Sequence, residues 1–149
     1  KFTAVDISSE ALSRLAKTYS FATCIHASME TFPFRDKEFD VVLLITVLHH
    51  VKDHDKLLIE ASRAAKKVIV VEDVYENWWD KVNIWFWDSV LNLEFFGHPH
   101  QNRDDQDWKK VFVDLKFDLL AESSGKIREF VYEFKQKAYL IQRRSDTTK

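Results

Sequence analysis

Several residues of this chain have the types and spacing for chemistry. Asp6 closes the short run Phe2–Val5. A carboxylate at the end of a parallel strand offers two acceptor oxygens to the two vicinal hydroxyls of a ribose. His49 and His50 follow the apolar run Val41–Ile45. A histidine near its ordinary pKa can take a proton from an acceptor hydroxyl or amine, and it can equally pack at the entrance of a helix. His98 and His100 repeat the pairing further on, and with His49 and His50 they have the types for a metal site. There is no HExxH spacing and no cysteine partner among them, so a metal is not expected. Trp78 and Trp79 open an aromatic stretch that runs to Phe96, with side chains suited to an apolar or planar ligand.

Positioning these residues needs alternating strands and helices. Lys1–Asp6 reads as a strand, and Ser8 or Ser9 can cap a helix with Ala11, Leu12, Leu15, Ala16 and Tyr19 at helical spacing. Thr23–His26 reads as a second strand, and Glu30–Lys37 as a loop punctuated by Pro33. Phe39–Ile45 is apolar on both faces, as in a parallel strand covered by helices on each side. Asp53 can cap the next helix, whose buried stripe is Leu57, Leu58, Ala61, Ala64 and Ala65. Lys66 and Lys67 are expected to close it, where cations suit the helix dipole. Val68–Val71 is a fourth strand ending in Glu72 and Asp73. Repeated strand-helix units imply parallel pairing with right-handed crossovers.

The pattern then changes. Trp78–Phe96 reads as a helix apolar on more than one side, fit for a core and dimer contact or for a lid. Asp105–Leu115 reads as a helix with Trp108, Val111, Phe112 and Leu115 on one face. Phe117–Glu122 and Ala138–Arg143 read as antiparallel strands, with a turn at Ser123–Lys126 and Arg128–Phe134 as a possible extension.

Composition narrows the class. A chain of 149 residues suits one domain. With 22 basic and 24 acidic residues there is no global basic field, which argues against nucleic acid. The single cysteine, Cys24, forms no internal disulfide, and a reduced cytoplasmic setting is expected. No apolar run has the roughly 20 residues of a membrane span. A helix lying in the membrane plane would carry basic residues on its polar face, whereas the aromatic stretch holds only Lys81. Glycine occurs only at Gly97 and Gly125, where usage of about 7% would give roughly ten.

Val5–Ser8, VDIS, the ETFPF run at Glu30–Phe34 and the ITVLHHVKD stretch at Ile45–Asp53 together resemble a class I methyltransferase that uses S-adenosylmethionine. The resemblance implies a Rossmann-like α/β sheet of seven strands, mostly parallel with a C-terminal antiparallel hairpin. It implies methyl transfer to a small-molecule acceptor. By resemblance Asp6 holds the ribose, Ile7 and Met29 flank adenine, and Ser28 stands where the family has an acid. Ile45 and Thr46 line the methionine end. His49, His50, Trp78 and Trp79 border the acceptor. The family's first strand and its glycine-rich turn have no counterpart before Lys1. The expected architecture is therefore an N-terminally truncated, partial methyltransferase domain over 1–149, with 75–105 as a lid and weak cofactor binding by this chain alone. Homo-oligomer formation through the aromatic helix is a further expectation. Two alternatives stand beside the enzyme: a non-catalytic methyltransferase-like interaction module, and an NAD(P)-dependent oxidoreductase, in which Asp6 would serve the same ribose role.

Overall fold

A computed structural model describes residues 1–28, 31–75, 78, 82, 103–129 and 132–144. The strands are β1 (Phe2–Asp6), β2 (Ala22–His26), β3 (Phe39–Ile45), β4 (Ala65–Asp73), β5 (Phe117–Glu129) and β6 (Tyr132–Arg143). The helices are α1 (Ser9–Thr18), α2 (His54–Ala64) and α3 (Asp105–Asp114), with a 3-10 turn at Leu48–His50. Each of these α-helices starts on a side-chain cap. Ser8 accepts from the Ala11 N–H, Asp53 from the Lys56 N–H, and Asp104 from the Asp107 N–H. Among the described residues no helix is long and apolar enough to cross a membrane.

Among the described residues the strands form two sheets, as a sheet without its central first strand would. β1 and β2 pair in parallel, with Asp6 opposite His26. The other sheet has the order β3-β4-β6-β5. Its β3–β4 pair is parallel, and β6 runs antiparallel to both β4 and β5. The parallel strands and the C-terminal antiparallel pair of the expected α/β fold are thus present. β1 and β3 each lack a second neighbour among the described residues. Together they line a cleft of about 370 Å³, whose other walls include Phe32, Phe34 and Leu57.

β3 departs from its expected environment. Its Leu44 is buried, but Val41, Leu43 and Ile45, which alternate onto the other face, are exposed, Leu43 by 51%. The core lies on the Leu44 side. There α2 contributes Leu57, Leu58, Ala61 and Ala64, β4 contributes Val68 and Val70, and β6 contributes Tyr139 and Ile141. Trp108, Val111 and Phe112 of α3 complete it, as their spacing predicts. Arg103 reaches this region through a bridge to Val74 and lies 5.7 Å from the Trp108 ring centroid.

Two element boundaries differ from the sequence reading. Lys66 and Lys67 do not close α2, because the chain turns extended at Ala65, which pairs with Phe39. Lys66 instead meets Asp40 at 2.7 Å. The cation serving the helix end comes from elsewhere: Lys37 Nζ donates to the Ser62 and Ala65 carbonyls. Nor is there a turn at Ser123–Lys126. These residues continue β5 opposite Ala138–Lys135, and pairing runs on to Glu129 opposite Tyr132. Serines and one glycine mark a turn only when no partner strand claims their backbone, and β6 claims it here.

Candidate functional site

The residues of interest sit at the C-terminal ends of the parallel strands. Asp6 ends β1, and its Oδ1 accepts the Ser8 N–H at 2.7 Å. This bond turns the chain toward α1, and Asp6 itself is half-buried. Ile7 beside it is 65% exposed. β2 ends in His26, whose Nε2 lies 2.8 Å from the Ile7 carbonyl oxygen. The Ala27 N–H donates to the Asp6 carbonyl. Ser28 therefore follows next to the Asp6–Ile7 turn. Met29 lies outside the described residues.

At the end of β3 the geometry is tighter. Ile45 is the last strand residue. Thr46 follows with φ 49°, a left-handed conformation that a β-branched residue seldom adopts. Its N–H still donates to the Val71 carbonyl at 2.8 Å, so the strand pairing persists through the bend. The next residues wrap around Glu72, near the end of β4. Glu72 Oε1 accepts the N–H groups of Val47 (3.0 Å) and Leu48 (2.8 Å). Its Oε2 lies 2.6 Å from His49 Nδ1. Glu72 is 1% exposed and His49 4%. The His50 ring is tilted against that of His49, with centroids 4.1 Å apart.

The sequence-predicted residues thus divide. Asp6, Ile7 and Ser28 gather at the adjoining ends of β1 and β2. Ile45, Thr46, His49 and His50 share the turn after β3. Trp78 is described and exposed, whereas Trp79 lies outside the described residues, as do His98 and His100. Among the described residues no cluster of His, Cys, Asp or Glu has the makings of a metal site. Glu72 was not among the candidate residues. At the end of an apolar run a glutamate reads as the place where a strand meets solvent, and only its three donors reveal otherwise.

The family model for the methyltransferase domain matches residues 1–68. That span runs from β1 to the middle of β4 and holds Asp6, Ile7, Ser28, Met29, Ile45, Thr46, His49 and His50. Among curated proteins nothing matches the chain. Solved methyltransferases share the fold. A SAM-dependent methyltransferase of Methanosarcina mazei is 18% identical, with a TM-score of 0.73 over 95% of this chain and 81% of that one. The magnesium protoporphyrin IX methyltransferase of Synechocystis, solved with bound SAH, is 13% identical, with a TM-score of 0.64 over 95% of this chain and 63% of that one. The YcgJ protein of Bacillus subtilis is 17% identical, with a TM-score of 0.64 over 96% and 82%.

Proposed function

We propose that this chain carries the adenosine-side and acceptor-side parts of a site that transfers a methyl group from S-adenosylmethionine to a small-molecule acceptor. The observation that carries this reading is the placement of Asp6 and Ser28 at adjoining strand ends, within the segment that matches the methyltransferase family. One Asp6 oxygen is used by the Ser8 N–H, and the half-buried carboxylate retains acceptor capacity for a ribose hydroxyl pair. Exposed Ile7 can lie against a purine. The cofactor, when bound, supplies an electrophilic methyl. The chain's own part is to hold the nucleoside through Asp6, to shape the methionine end with Ile45 and Thr46, and to border the acceptor with His49, His50 and Trp78. Placing an acceptor in line with the methyl provides much of such a rate enhancement through orientation alone.

The fit is better at the adenosine end than at the amino-acid end. Among the described residues the one glycine is Gly125, on β5, away from every parallel strand end. The cleft between β1 and β3 also leaves both strands with one unpaired side. Binding by the 149-residue chain alone is therefore expected to be weak. Calorimetry with S-adenosylmethionine checks the affinity, and a micromolar dissociation constant would show that the amino-acid end needs nothing more. NMR titration checks the placement. Amide signals of Ile7, Ser28 and Thr46 are expected to shift together, and Asp6→Ala should weaken binding about tenfold or more, the worth of a hydrogen bond to a charged group. Shifts confined to other surfaces would remove the assignment.

A further inference from the structure

We infer that Glu72 is a positioning residue that holds the strained turn after β3 and sets the His49 imidazole with its proton on Nδ1. The placement of His49 at an acceptor rests on the methyl-transfer reading, whereas the hydrogen bonding that sets its ring does not.

Glu72 has left water at 1% exposure, and a buried carboxylate persists only where donors replace its hydration. Three donors do so, all from one short turn: the Val47 N–H, the Leu48 N–H and His49 Nδ1. Two successive backbone N–H groups converging on one oxygen make an anion-holding concavity of the kind known from phosphate sites, filled here by a side chain. The turn includes a residue in the left-handed region, Thr46. A conformation of this kind persists where its surroundings over-determine it. On one side Thr46 is tied to β4 through the Val71 carbonyl, and on the other the next two N–H groups are tied to β4 through Glu72.

The same carboxylate decides the histidine tautomer. An ionised carboxylate only accepts, so the 2.6 Å contact requires the proton on His49 Nδ1. Nε2 is then the basic nitrogen of the neutral ring. A glutamine at this position would reverse the assignment. Its carbonyl oxygen keeps the Val47 and Leu48 N–H groups, and its amide nitrogen, now facing Nδ1, can only donate. The imidazole proton would move to Nε2.

Side-chain nitrogen NMR of the 149-residue chain at neutral pH reads this directly. The native chain is expected to show His49 protonated at Nδ1 and bare at Nε2, and Glu72→Gln to show the opposite. A native ring protonated at Nε2, a doubly protonated ring, or one tautomer shared by both chains would overturn the inference. Glu72→Asp provides an arm that keeps the charge. It should retain the Nδ1 proton while the shortened side chain releases the backbone, raising hydrogen exchange at Val47 and Leu48 by about tenfold or more relative to the β3–β4 ladder. Unchanged exchange at those two amides would remove Glu72 from the turn. Neither readout uses cofactor or acceptor, so a failure here is separate from a failure of S-adenosylmethionine to bind.

Discussion

Thr46 concentrates the tension of the candidate site in one residue. Its φ of 49° is a region that glycine enters freely and a β-branched residue enters at a cost of about 1–3 kcal/mol. Thr46→Gly is therefore expected to stabilise the chain by about 1 kcal/mol in urea unfolding, while Thr46→Ala, which keeps a Cβ, stabilises it less. A Thr46→Gly chain clearly less stable than the native one would mean that the threonine side chain contributes more than the strain removes. The residue types that could do chemistry were legible in the sequence: Asp6 as a carboxylate at a strand end, His49 and His50 as a polar pair after an apolar run. Their environments were not. Nothing in the string VIVVED separates a solvated glutamate from one that is 1% exposed, because the donors to Glu72 lie in a different loop.

At the scale of elements, α2 is the piece that fixes the loop after β2. Arg63 donates to the Phe32 and Phe34 carbonyls and to Asp36, and Glu60 accepts the Phe32 N–H at 2.8 Å and two Arg63 bonds. The Arg63 hydrogen bonds outweigh the opposing effect of burial and hold the Glu60 carboxyl below its ordinary value of 4.5. A carboxylate whose pKa is lower folded than unfolded stabilises the fold above the unfolded value. That contribution is lost as the pH falls through the folded one. Glu60→Gln should thus cost about 1–3 kcal/mol at neutral pH, and the gap to the native chain should close in acid. Denaturant titrations of both chains at several pH values check this, and a gap that stays constant into acid would contradict it. Helix starts were readable because a cap is a local event: Asp53 and Ser8 act within their own first turn. The end of α2 was not readable from Lys66 and Lys67, because its cation is Lys37, brought from a distant loop. The overlong β5 escaped for a similar reason: whether Ser123–Lys126 turns or pairs is decided by β6.

At the scale of the molecule, the two sheets leave β1 and β3 facing one cleft, with Val41, Leu43 and Ile45 exposed on an apolar face. An apolar strand with an open side is a template for another strand. The chain is expected to self-associate as its concentration rises, and Leu43→Lys to shift the sedimentation velocity profile toward monomer. Equal association of both chains would place the contact elsewhere. The fold class was legible because parallel units leave apolar runs separated by amphipathic helices.

The position of β6 carries one more consequence. It follows β5 in the chain, yet it sits between β4 and β5 and brings Tyr139 and Ile141 into the core. During synthesis on the ribosome β4 can pair with β3, but its other side waits until Tyr132–Arg143 has left the exit tunnel. The larger sheet is thus completed only once β6 has followed β5, and until then the nascent chain presents β4 with one side unclaimed.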